Sequence, residues 1–177
     1  MTWTVDDNEY SWERPISTQQ TGFSFVSQSR SWLPDAVGGV YWYGLDDTFT
    51  SVYMPLYAGI TRIPESFTVG SLDAFSWDSA WWVFNFVANL ANLKYSYMIE
   101  DVRAVQSELE GSLLARQAAV ENAAAQLAET NPDEMVRYLT QYSVSQAEEV
   151  VRRWRELGEF LIVNYNDGYI NGRSLGY

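Results

Sequence analysis

The segment TGFSFVSQSRSWLPDAVGGVYWYGL, residues 21–45, decides how the chain is read, because it holds two strand patterns and the turn between them. Across residues 21–30, Phe23 and Phe25 fall on one side and Ser24, Val26 and Gln28 on the other, the two-residue period of a strand with unlike faces. Pro34 and Gly38-Gly39 then punctuate the chain before residues 40–45, a second short aromatic run that closes in Asp46-Asp47. Residues 51–60 make a third strand candidate. Pro55 inside it predicts an edge, a bulge or an early end, since proline has no N–H to give to a ladder. Connections this short favour antiparallel pairing.

Outward from these strands the character of the chain changes at Gly70. Ser76 or Asp78 is placed to cap a helix through Trp81, Trp82, Phe84, Val87 and Leu90. Residues 97–129 carry Val102, Val105, Leu109, Leu113, Val120, Ala124 and Leu127 at helical spacings with acidic residues between them, which predicts one long amphipathic helix. Asn131-Pro132 supplies a cap followed by proline at the first helical position and opens a short helix through Met135, Val136 and Leu139. Ser143 and Gln146 have the spacing of a capping box, predicting a further helix that buries Val150, Val151, Trp154, Leu157, Leu161 and Ile162 before Asn166, Asp167 and Gly168 stop it. Strands first and helices second, without alternation, is an α+β arrangement. Residues 1–70 form its strand-rich part and residues 71–177 its helical part, in a single domain or a fragment of a larger one.

Composition narrows the function. With 23 acidic and 11 basic residues the net charge is −12, which repels a nucleic-acid backbone and argues against such a partner. There is no Cys and no His, which removes disulfides, thiolate metal sites and the usual partner that activates Ser or Cys near neutral pH. No cofactor and no metal site are expected. Residues 1–12 lack the basic and apolar regions of a signal peptide, and the most apolar stretch, residues 80–93, contains Asn85, Asn89 and Asn92, so it reads as a buried helix and no membrane partner is expected. The cytoplasm is the default compartment. Eight Trp and twelve Tyr suggest a large core or surfaces covered by more protein, including a second copy of the chain.

Few residues invite chemistry. Asp46 and Asp47 are adjacent on a strand end and point to opposite faces, which suits a turn better than a shared proton or metal. Asp6, Asp7, Asn8 and Glu9 resemble a calcium loop only loosely, without its glycine or its distal ligand. Arg30 ends an aromatic strand in a chain poor in cations; its guanidinium suits a substrate carboxylate or developing negative charge, and equally a structural carboxylate or stacking on Trp32. Glu13-Arg14 and Gln19-Gln20 sit near the start of the same strand and suit a cleft or a solvated role. Trp81, Trp82 and Phe84 read as core, and the acidic residues between Glu100 and Glu121 as a solvated helix face. If Met1 is removed, Thr2 becomes an N-terminal residue whose own amine can act as base.

Four ordered blocks carry a wider signal: ERPISTQQTGFSFVSQSRSWLP from Glu13, GGVYWYGLDDTFTSVYMPLYAGITRIPESF from Gly38, FSWDSAWWVFNFVAN from Phe75 and LTQYSVSQAEEVVRRWRELGEFLIVNYNDGYIN from Leu139. Together they resemble the C-terminal part of the PepD-type dipeptidases, N-terminal-nucleophile cysteine hydrolases. The resemblance implies an αββα sandwich and hydrolysis of dipeptides by an N-terminal Cys that this chain lacks. The chain then reads as a C-terminal portion, inactive alone, that meets a dipeptide substrate only together with the missing Cys-bearing half. The alternative is a non-catalytic interaction module that associates with a dipeptidase subunit or with itself. Arg30 falls on the family's QxR-type strand, so substrate binding is expected of Arg30, with Gln19, Gln20 and Asp46 as further candidates; no catalytic nucleophile is expected within the chain.

Overall fold

A computed structural model describes residues 2–172. Strands β1 (Thr2–Val5) and β2 (Asn8–Ser11) form an antiparallel ribbon in which Val5 pairs with Asn8. Asp6 and Asp7 fill the two turn positions with φ of 49° and 62°, the left-handed conformation that a two-residue hairpin turn requires and that aspartate tolerates. The acidic run is thus a hairpin turn, with Asn8 Nδ2 donating to the Asp6 carbonyl at 3.1 Å. All eight strand residues of this ribbon are exposed.

Strands β3 (Phe23–Ser29), β4 (Gly39–Leu45) and β5 (Met54–Tyr57) make an antiparallel sheet in the order β3-β4-β5. Phe23 faces Leu45, Val26 faces Trp42, and Trp42 faces Pro55 on its other side. Pro55 does lie on an edge strand, where the missing donor costs least. A single helical turn, α1 (Asp35–Gly38), turns the chain from β3 into β4. A Cβ on Gly38 would come within 2.5 Å of the Arg30 carbonyl, so the close return of the chain onto the end of β3 requires glycine there.

Three helices follow: α2 (Ala80–Leu93), α3 (Tyr95–Thr130) and α4 (Pro132–Asn164). Lys94 alone separates the first two and Asn131 alone the last two. Asn131 caps α4 by accepting from the Glu134 amide at 3.2 Å, with proline at the first position, as the sequence predicts. Two expectations are corrected. The N-cap of α2 is Ser79, whose hydroxyl makes no cap bond; Ser76 instead accepts from the Asp78 amide at 3.1 Å and closes a turn just before the helix. Ser143 does not start a helix: α4 runs unbroken through it, and its buried hydroxyl accepts from the Tyr57 amide on β5 at 3.4 Å.

Packing explains why the helices stay together. Arg153 pairs with Glu108 at 2.9 Å and Arg116 donates to Gln146 at 3.2 Å, partners placed symmetrically about Asn131, so α3 and α4 form an antiparallel hairpin. Between α2 and α4, the fully buried Trp154 stacks on Phe84 with ring centroids 5.2 Å apart. Gly158 comes so close to α2 that a Cβ there would lie 3.1 Å from the Phe86 ring. This core continues into the sheet through Leu45, Val52 and Met54, while a second cluster sets Val37, Val40 and Tyr57 against Val120, Ala124, Met135 and Leu139. The arrangement is α+β, strands first, as expected. Among the described residues no helix is long and apolar enough to cross a membrane. Truncating Trp154 to Ala removes the largest fully buried side chain between α2 and α4; unfolding in urea should show a loss of about 3–5 kcal/mol, and a loss below about 1 kcal/mol would contradict this packing.

Candidate functional site

The ladder register separates the four expected binding residues. Gly22 accepts from the Asp46 amide at 3.0 Å, and the Arg30 amide donates to Gly38 at 3.1 Å. Asp46 therefore sits at one end of the β3–β4 pair and Arg30 at the other, eight strand residues apart, or about 26 Å. Gln19 and Gln20 are exposed at the Asp46 end, where Gln20 Oε1 accepts from Arg14 at 3.4 Å.

At the Arg30 end a buried polar network joins the sheet to α3. Arg30, 8 % exposed, donates from Nη1 to Glu121 Oε1 at 2.5 Å, from Nε to the Gly38 carbonyl at 3.3 Å and from Nη2 to the Val37 carbonyl at 3.1 Å. The Tyr57 hydroxyl donates to the same Glu121 oxygen at 3.1 Å, as does Gln117 at 2.9 Å. Burial, and then the negative charge of Glu121, hold the Tyr57 phenol protonated far above its ordinary range. Three of the five guanidinium donors are thus committed to the fold. A shallow cavity of about 340 Å³, lined by Ser29, Arg30, Ser31, Asp35, Gly38 and Gly39, opens over this end. Glu121 does not belong to a solvated acidic face. Its position one residue after Val120 and three before Ala124 puts it on the apolar side of α3, a signal the helical period already contained.

The Asp46 end is closed. Asp46 is 2 % exposed and left-handed with φ of 62°; Oδ1 accepts from Asn85 of α2 at 3.0 Å, and Oδ2 has no hydrogen-bond partner among the described residues. Burial raises its pKa above the usual carboxylate value, against the lowering effect of the Asn85 and Asp47 hydrogen bonds. A buried carboxylate with one oxygen unpartnered is costly to keep charged. Asp47 makes the turn itself: it accepts from the Phe49 amide at 3.2 Å, from Thr50 at 3.3 Å and from Ser17 at 3.4 Å. The side chains of the two adjacent aspartates have separate partners, Asn85 for Asp46 and the turn residues for Asp47. Among the described residues no group of acidic side chains could hold a metal ion. Trp81 is not purely core, since its indole N–H donates to the Gly22 carbonyl at 3.1 Å.

Comparison with known proteins places this scaffold among the peptidases. The sequence model of Peptidase family C69 matches residues 3–108, from β1 into the first part of α3, and the chain belongs to that family. No curated protein matches it.

The buried aspartate gives a pH signature. Its folded pKa lies above the unfolded value, so the folded state holds the proton longer and stability falls as pH rises from the unfolded pKa through the folded one. Asp46→Asn keeps the shape and the left-handed tolerance but not the charge. The variant's Tm advantage over the native chain should therefore grow from pH 4 to pH 7, and a constant or shrinking difference would contradict the assignment.

Proposed function

We propose that this chain is the scaffold of a dipeptidase, and that the cysteine which attacks the peptide bond is contributed from outside these 177 residues. The observation that carries this reading is the match to Peptidase family C69 in a chain with neither Cys nor His. In the reaction a thiolate adds to the carbonyl carbon, the amine of the second residue leaves, and water releases the first. What the chain supplies is a rigid strand layer and a cation at its open end. A dipeptide spans only about 7 Å, so it cannot touch both Arg30 and Asp46. The cavity over Arg30 favours that end for substrate, with Arg30 as the residue that meets a substrate carboxylate; Gln19, Gln20 and Asp46 then lie at the far end, outside contact.

The exposed ribbon, with Trp3, Val5, Tyr10 and Trp12 each about half exposed, supports a second reading, a non-catalytic module that associates through uncovered aromatic surface. Dipeptide hydrolysis by the chain with and without an added Cys-bearing N-terminal part separates the two. Activity only in the mixture is expected; a defined oligomer with no activity in the mixture supports the module instead. In the active mixture Arg30→Ala should lower kcat/KM at least about tenfold, and an unchanged value removes Arg30 from the site. Because that variant also strands Glu121, at a cost of about 3–5 kcal/mol, Arg30→Met with Glu121→Gln serves as the folded control.

A further inference from the structure

The outer edge of β3 is unpaired. Gly22, Ser24, Val26 and Gln28 alternate in register with the two bonded pairs at Gly22–Asp46 and Arg30–Gly38, so their backbone groups turn toward β4. The N–H and C=O groups of Phe23, Phe25, Ser27 and Ser29 therefore point away from the sheet, and among the described residues nothing bonds to them. Sheet edges are commonly protected by charge or proline. This one has neither: residues 15–29 contain no charged side chain in a chain of net charge −12, and Pro15 precedes the strand by eight residues.

Beside that edge, on the face turned to α3, lies a groove of about 230 Å³ walled by Val26, Trp42, Tyr53 and Leu114, with Glu110 inside it. Val26 and Leu114 form its mouth and are 59 % and 58 % exposed. The carboxylate of Glu110 accepts from the Tyr53 amide at 3.0 Å, and no cation pairs with it among the described residues. Burial raises its pKa above the usual carboxylate value. An acid set in an apolar groove lacks the one partner that would best compensate it, a cation carried on an apolar stem. On α3 the only charge between residues 111 and 120 is Arg116.

We propose that the β3 edge binds an extended peptide as an added strand, and that a lysine or arginine of that peptide lays its aliphatic stem between Val26 and Leu114 and its charge on Glu110. Main-chain hydrogen bonds to Phe23, Phe25, Ser27 and Ser29 supply sequence-independent affinity, while the groove supplies the choice of side chain. The strand residue set beside Val26 projects to the same face as Val26, the face that carries the groove. The negative charge of the chain as a whole draws a basic peptide in. The site is distinct from the cavity over Arg30, and it stands whether or not the dipeptidase reading holds.

The test uses an acetylated, amidated Thr-Val-Lys-Val-Thr peptide and its norleucine and glutamate versions at the central position, titrated by calorimetry. The lysine peptide should bind about tenfold tighter than the norleucine peptide, and the glutamate peptide more weakly than both. Glu110→Gln should erase the lysine preference without weakening the norleucine peptide. Ser27→Pro, whose lost N–H lies outside the β3–β4 ladder, should weaken all three. As a readout independent of any variant, peptide should slow hydrogen exchange at the amides of Phe23, Phe25, Ser27 and Ser29. Equal affinity for the three peptides, or no slowing at these amides, overturns the proposal. Protection that rises with protein concentration in the absence of peptide overturns it in favour of a second copy on the edge. Loss of peptide binding on adding a Cys-bearing N-terminal part overturns it in favour of that part as the occupant.

Discussion

The buried ion pair between Arg30 and Glu121 joins the two layers of the molecule. One partner ends β3, the other sits on the inner side of α3, and Tyr57 of β5 and Gln117 converge on the same carboxylate oxygen. Removing charges from water is expensive, and this pair is compensated by three donors on one carboxylate oxygen and by the two backbone carbonyls that the guanidinium holds as well. The close turn at Gly38 brings the Val37 and Gly38 carbonyls to that guanidinium, and beside it Val37, Val40 and Tyr57 pack on Val120, Ala124, Met135 and Leu139 of the helical hairpin.

The same network explains why Arg30 has two readings that do not exclude each other. Three of its donors hold the fold, and Arg30 also lines the open cavity at this end of the sheet. A cation immobilised in this way loses little freedom on meeting an anionic group, which is what a binding site needs from it. Asp46 presents the opposite case: buried, left-handed and half-partnered, it holds β4 to α2 through Asn85.

Local signals in the sequence survived best. Asn131-Pro132 caps α4, because a cap and a fixed φ act within one turn of chain. The alternation of residues 21–30 gave β3, and Pro55 marked its strand as an edge. Ser143 misled because the spacing of a capping box also arises by chance inside a helix; its hydroxyl answers to Tyr57, 86 residues away, which no local pattern reveals. The expected site residues were dispersed for a related reason. Nearness in sequence says nothing about which end of a strand pair a residue occupies until the register is known, and the register emerges only from the Gly22–Asp46 and Arg30–Gly38 bonds.

The single-residue joints at Lys94 and Asn131 carry a consequence for how the molecule assembles. The α3–α4 hairpin can form by folding back across one residue, whereas the packing of α2 on α4, including Phe84 on Trp154, must first bring together elements separated by the whole of α3. Arg30 and Glu121 lie 91 residues apart, and their meeting closes a loop that spans both layers. The ion pair therefore ties together two parts of the molecule, the short-looped β3–β4–β5 sheet and the α3–α4 hairpin, that are each closed by short connections of their own.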